Sequence, residues 1–179
     1  VEDLVNMGQR PEVLLIACSD SRVDPAILTN AEPGEMFVIR NVANLVPPYE
    51  PDENYHGTSS AIEFAVRDLK VRDIVILGHS ACGGMEALVE HGEAGKVPDR
   101  DFIGEWVSIA KCCLEHGPDV DKVSRHSIRN SLQNLMSFPF IKERVEAGDL
   151  KLHGWWYGMK EGILWRFDAE QDKFVQGEE

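Results

Sequence analysis

The sequence predicts an α/β fold: a central, mostly parallel β-sheet flanked by helices and closed by a C-terminal strand or hairpin. Three observations carry this. The first is a set of short apolar runs rich in β-branched residues, Val13 to Cys18, Met36 to Ile39 and Ile74 to Leu77. They are apolar on both faces, as strands covered on both sides are. The second is the helical pattern between the runs. In Gly57 to Leu69 the residues Ile62, Ala65, Val66 and Leu69 recur at helical spacing, Ser60 with Glu63 reads as a capping box, and the segment is a crossover helix. The third is the alternation of strand with helix, which continues after the third run with Met85, Leu88 and Val89 on one face up to Gly92.

The remaining elements follow in order. Asp24 and Pro25 open a short helix as cap and first turn. Trp106, Ile109, Ala110, Cys113 and Leu114 mark one amphipathic helix, and Ile128, Leu132, Leu135 and Met136 another. Ser137 to Pro139 restarts a short helix that ends at Gly148. Leu150 to Phe167 alternates about Lys160 to Gly162 as a hairpin, with Trp155, Trp156 and Tyr157 covering the sheet or an interface, and the residues after Asp168 read as a solvated end. The turn-rich stretches 47–54 and 92–101 are loops rather than linkers, so residues 1–179 read as one domain.

Composition removes several classes of function. With 31 acidic against 18 basic residues the net charge is −13, which repels DNA, RNA and anionic lipid alike. No apolar run approaches the ~20 residues of a membrane-spanning helix. Four cysteines, at 18, 82, 112 and 113, do not form a secreted disulfide framework, and a reducing, cytoplasmic compartment is expected. The chain opens on Val1 rather than Met, so a preceding native segment is expected.

Chemistry concentrates where strands end. The first run leads into Cys18, Ser19, Asp20, Ser21 and Arg22, and the third into His79, Ser80, Ala81, Cys82, Gly83 and Gly84. In open parallel sheets ligands bind beyond the carboxyl ends of the strands, where strand order reverses, so adjacency of these two strands brings Cys18, His79 and Cys82 together. Two thiolates and an imidazole make a three-ligand zinc set with a fourth tetrahedral position open, the pattern of a catalytic rather than a structural site. Core packing is the plainer reading of any lone cysteine, and it holds for Cys113, on the apolar face of its helix beside Cys112. Cys18, His79 and Cys82 instead sit at strand termini, the latter two beside glycines. His56, His91, His116, His126 and His153 show no ligand spacing; His56, before the crossover helix, is the choice for a proton shuttle.

Over roughly residues 9 to 168 the chain closely resembles the β-class carbonic anhydrases. The segments that carry the resemblance are Cys18 to Val23, Glu32 to Glu35, Arg40 to Asn44, Gly57-Thr58 through Glu63, Gly78 to Gly84, and Ser137 to Phe140. The resemblance implies a zinc enzyme that reversibly hydrates carbon dioxide to bicarbonate and a proton, with Cys18, His79 and Cys82 as zinc ligands and Asp20 with Arg22 as the catalytic dyad. Zinc on such ligands acidifies a bound water into a hydroxide nucleophile, and because two thiolates cancel the metal's formal charge, activity is expected to rise toward alkaline pH. Arg22 holds Asp20 ionised so that the carboxylate orients the nucleophile. Carbonyl sulfide or carbon disulfide hydrolysis at the same ligands, and a catalytically silent zinc scaffold, are the alternatives.

Further expectations rest on the same resemblance. Leu15 and Ala17 stand where some bacterial members carry the Trp and Gly associated with an inhibitory bicarbonate site, and the plant-type branch, with Asp20 paired to Arg22 at rest, is the better match. The substrate pocket falls on Gln9, Phe37, Val42 and Phe64, with Gly83 offering a backbone N–H; Phe64 departs from the tyrosine of that branch. Because the family builds this pocket partly from a neighbouring subunit, a homodimer or larger homo-oligomer is implied, with the N-terminal arm that embraces the partner truncated here.

Overall fold

The structure is a computed structural model that describes residues 2–92 and 100–177, so most of the loop expected over 92–101 lies outside the described residues. Six strands form one sheet in the order β2-β1-β3-β4-β5-β6. They span Val13–Cys18 (β1), Met36–Asn41 (β2), Asp73–His79 (β3), Lys151–Gly158 (β4), Ile163–Asp168 (β5) and Lys173–Gln176 (β6). The first four are parallel, and β5 and β6 run antiparallel. β1 has β2 on one side and β3 on the other, so strand order reverses between β1 and β3. That is where an open sheet leaves a crevice. Ala17 stands opposite Leu77, and Cys18 and His79 therefore leave the sheet at one edge.

Strand periodicity divides the core. Leu14, Ile16, Ile74 and Ile76 face a large apolar cluster with Ile62, Val66, Ile128, Leu135 and Phe138, while Leu15, Ala17, Val75 and Leu77 point to the opposite face with Trp155 and Tyr157 beside them. Trp156 is 3% exposed in the first cluster, so its aromatic neighbours in β4 alternate across the sheet.

The helices are Glu2–Met7 (α1), Pro25–Thr29 (α2), Gly57–Glu63 (α3), Gly83–Gly92 (α4), Ile103–Ser108 (α5), Val120–Leu135 (α6) and Pro139–Glu146 (α7). Asp24 caps α2, accepting from the N–H groups of Ala26 and Ile27. The long α6 lies close on β3 and β4 because those strands offer glycines beneath it. A Cβ on Gly78 would stand 2.8 Å from Ile128 Cδ1, and one on Gly154 would stand 2.7 Å from Ile128 Cγ2. The helix presents a stripe of buried small residues, Ser124, Ser127 and Ser131, on its inner side.

Local expectations fail at four points. The Ser60–Glu63 capping box does not form: the helix begins at Gly57, three residues earlier, and Ser60 Oγ donates back to the His56 carbonyl at 2.6 Å. The crossover helix does not stay α-helical; Phe64–Asp68 is a π-helical turn, which re-aims the buried Ala65 and Val66. The single helix read from Trp106 to Leu114 is two pieces, α5 and a 3₁₀ segment Lys111–His116, because helical spacing of apolar residues persists across a break at Ile109–Ala110. The end after Asp168 is not merely solvated: β6 pairs with β5, and Phe174 lies 5.4 Å from Phe167, ring to ring.

Candidate metal centre and its dyad

Cys18, His79 and Cys82 converge. Their ligand atoms lie within 4.8 Å of one another and all three residues are buried. The two sulfurs stand 4.0 Å apart, too far for a disulfide. Two thiolates on one tetrahedral zinc at about 2.3 Å per bond stand about 3.8 Å apart, so the spacing fits the ion. His79 Nδ1 faces the carbonyl oxygen of Ser80 at 2.8 Å; a carbonyl only accepts, so Nδ1 carries the proton. That leaves Nε2 as a lone pair, buried and without a hydrogen-bond partner. An orphaned imidazole nitrogen beside two free thiols is what a metal ligand looks like.

The local electrostatics favour a negative site. Cys18 is held far below the usual thiol range, chiefly by the Cys82 thiol, against the cost of burial, with help from His79 and from the Ala43 N–H at 3.3 Å from its sulfur. Cys82 is pushed up in turn by Cys18 and by burial: the pair shares one proton that a cation would displace.

Asp20 stands at the mouth. Arg22 grips it bidentately, Nε to Oδ1 at 2.9 Å and Nη2 to Oδ2 at 2.7 Å, with the Arg22 backbone N–H on Oδ1 at 2.9 Å. The guanidinium holds the carboxyl well below the usual carboxylate range. Asp20 Oδ2 lies 4.0 Å from His79 Nε2. Arg22 in turn donates to the Ala81 carbonyl at 3.0 Å, which ties the dyad loop to the His79–Cys82 loop.

Several residues that support the centre had no role in the sequence reading. Arg40 donates to the carbonyls of Cys18 at 2.9 Å and Asp20 at 2.7 Å and fixes the loop between them. Asp121, in the first turn of α6, accepts from the Ala81 N–H at 2.8 Å, and Ser124 donates to the His79 carbonyl at 3.1 Å. Trp106 Nε1 donates to the Val42 carbonyl at 2.7 Å. Ala43 and Ala81 are left-handed at φ 66° and 50°, conformations unfavourable for alanine that these bonds hold in place. Gly84 is required by space, because a Cβ there would lie 2.7 Å from Val42 Cγ1 and 2.9 Å from Ala43 Cβ. Gly83 has open space around its position. Arg40 and Ala43 lie in the motif Arg40 to Asn44 and Ala81 and Gly84 in Gly78 to Gly84, whereas the bonds from Asp121, Ser124 and Trp106 join segments 40 to 64 residues apart.

The expected pocket side chains are less gathered. Phe37 and Phe64 pack with ring centroids 5.9 Å apart, and Val42 adjoins the Ala43 that bonds Cys18. Val42 is 39% and Phe64 43% exposed. Gln9 is exposed and opens on a surface cavity with Asp68, Lys70 and Arg72 instead of the metal centre. His56 pairs with Asp52 at 2.6 Å in a separate cavity with Tyr49 and Phe138.

Comparison with known proteins agrees with this geometry. The family model described as carbonic anhydrase matches residues 13–164. Beta carbonic anhydrase 5, chloroplastic, of Arabidopsis thaliana is 42% identical over 162 residues, covering 84% of this chain and 52% of its own length. A carbonic anhydrase of Pseudomonas aeruginosa is 39% identical over 176 residues, 93% of this chain and 78% of its own. This chain thus spans about half the length of the plant relative. Among solved structures, the β-carbonic anhydrase CcaA superposes with a TM-score of 0.88 at 34% identity, over 99% of this chain and 82% of that one. A tetrameric β-carbonic anhydrase of Sordaria macrospora gives 0.78 at 30%, over 94% and 86%. With the ligand cluster, the reversed strand order and a match over most of its length, the chain belongs to the β-class carbonic anhydrase family.

Proposed function

We propose that this protein catalyses the zinc-dependent, reversible hydration of carbon dioxide to bicarbonate and a proton. The observation that carries the reading is the bidentate Asp20–Arg22 pair standing at the mouth of a buried Cys18–His79–Cys82 cluster. A structural zinc site has no need of such a pair. When bound, zinc supplies a Lewis acid that lowers the pKa of a water near it.

The chain's own residues do the rest. Asp20, ionised by its guanidinium partner, accepts a hydrogen from the attacking water and so aims its lone pair outward, toward the carbon of the substrate. A carboxylate held so far below its usual range is a poor general base near neutrality; it orients and does not take the proton away. The apolar walls Phe37, Val42 and Phe64 suit a linear molecule without a net dipole, while the Gln9 amide and the Gly83 N–H suit the developing bicarbonate oxygens. Gln9 reaches that role from a second subunit, so the working form is a homodimer or a larger assembly; the tetrameric Sordaria relative supports this reading. The Asp20–Arg22 pairing supports assignment to the plant-type branch, and four free cysteines support a cytoplasmic location.

The test is stopped-flow carbon dioxide hydration on zinc-replete protein, with Cys18→Ser and Asp20→Ala as controls. Hydration that rises with pH, vanishes with zinc in Cys18→Ser and falls with zinc retained in Asp20→Ala is the expected result. Zinc-loaded protein that leaves carbon dioxide at the buffer rate but hydrolyses carbonyl sulfide would overturn it.

A further inference from the structure

Away from the metal edge, a cavity of about 240 Å³ lies between α6 and the β5–β6 turn. Lys122, Arg125, His126 and Arg129 line it from the helix, and Asp172 and Lys173 from the turn, above the rings of Phe167 and Phe174. On a chain of net charge −13 this is a local reversal of sign. Among the described residues, the ion pair in this group is Arg129 with Asp172, at 2.6 Å. Asp168, which faces Lys173 across the β5–β6 ladder, has its oxygens occupied by the N–H groups of Glu170 and Gln171 and by the Gln171 amide.

Arg125 is the unusual member. Its guanidinium lies over the Trp156 ring at 3.9 Å and 5.9 Å from that of Trp165, and its Nε is buried with no hydrogen-bond partner. A buried Nε–H left unmet on an arginine that lines a cavity marks an incomplete site. The contrast with a second basic cavity is instructive: there Arg67 pairs with Glu63, Arg72 with Glu12, and Arg144 with the Val66 carbonyl.

We propose that the cavity between α6 and the β5–β6 turn binds an oxyanion of the phosphate class, free or esterified, on Arg125, Lys122 and Lys173. Planar guanidinium and flexible ammonium donors set around one space match a tetrahedral oxyanion better than a monatomic ion, and Phe167 with Phe174 leaves an apolar wall for the organic part of an ester.

His126 reports the field in the cavity. Burial first, then His116, Arg129 and Lys122, hold its imidazole at about 4, with Asp172 acting weakly the other way. His116 stacks on it at 3.4 Å between centroids and itself faces Glu115 at 3.5 Å. An anion seated among those cations lifts the His126 value toward its ordinary range.

The experiment is an NMR titration of the His126 ring in the zinc-loaded full chain, with inorganic phosphate, then glycerol 3-phosphate, and chloride at matched ionic strength. We expect a saturable shift with the phosphates, a raised His126 pKa in their presence, and affinity weakened about tenfold or more in Lys122→Gln/Lys173→Gln, two exposed positions whose loss leaves the fold and carbon dioxide hydration intact. Arg125→Met abolishes the shift. Tighter binding of the ester than of free phosphate assigns the occupant to the esterified form, and the reverse to the free ion; either supports the site. An equal response to chloride, unchanged affinity in the double variant, or no saturable shift up to about 10 mM of either phosphate overturns it.

Discussion

The metal edge and the proposed pocket wall differ in how fully one chain buries them. At the metal edge Cys18, His79 and Cys82 are 5%, 1% and 0% exposed, and their loops are cross-bonded by Arg22, Arg40, Asp121 and Ser124. At the pocket wall Phe64 and Val42 keep roughly two-fifths of their surface in water, and Gln9 faces another cavity. Large apolar groups left open beside a rigid polar centre call for a covering surface. On the proposed function, this contrast assigns metal holding to the single subunit and leaves the substrate wall for a second copy to cover.

The largest effect that could break this division comes from the ligands. Cys82→Ser, measured by metal analysis and hydration rate, is expected to lose stoichiometric zinc and essentially all activity while the sheet remains folded. Zinc retained at one per chain would show that the ligand set is not the one described.

Next comes the dyad and its support. Asp20→Asn preserves shape and removes the charge, so zinc is kept and kcat/KM falls by about 10²–10⁴-fold. Arg40→Met acts one step further out: the loop carrying Cys18 and Asp20 loses its two carbonyl tethers, and zinc affinity drops by about 10- to 100-fold. A smaller loss from Asp20→Asn than from Arg40→Met would reverse the assigned order.

Packing behind the centre gives an intermediate effect. Gly84→Ala places a methyl against Val42 and Ala43 and is expected to cost about 1–3 kcal/mol in denaturant unfolding, with weaker zinc binding because Ala43 N–H bonds Cys18. The wall should respond differently: Phe64→Ala leaves zinc content unchanged but weakens self-association in sedimentation and raises KM. Loss of zinc in that variant would merge the two regions into one unit.

The smallest effect is a pH dependence far from both. The folded-state pKa of His126, at about 4, lies below the ordinary 6.5, so the neutral ring stabilises the fold fully above pH 6.5, and this contribution is lost as pH falls from 6.5 toward 4. His126→Gln should flatten the decline of melting temperature in that window, and an unchanged slope would assign the decline elsewhere.

Much of the fold was legible because local physics carries it. Short apolar runs rich in β-branched residues favour strands by their own stereochemistry, and Asp24 beside Pro25 marks a helix start by hydrogen-bond chemistry. The errors fall where distant contacts override local pattern. The break at Ile109–Ala110 and the π-helical turn at Phe64–Asp68 keep Ala110, Ala65 and Val66 buried by changing backbone geometry, and periodicity does not register the change. The short β6 was missed because four residues earn their strand only by pairing with β5.

Residue order alone carried the main strands and most of the helices, the two ligand-bearing strand ends and, through its motifs, the family. Those are properties of short segments and of residue identity. Long-range packing alone makes β1 and β3 neighbours in register, settles α6 over Gly78 and Gly154 so that Ser124 and Asp121 reach the metal loops, and sets Arg125 along a cavity with its Nε unmet. Each depends on surfaces meeting across dozens of residues, and the free energy of such meetings resides in shape and burial that no single segment contains.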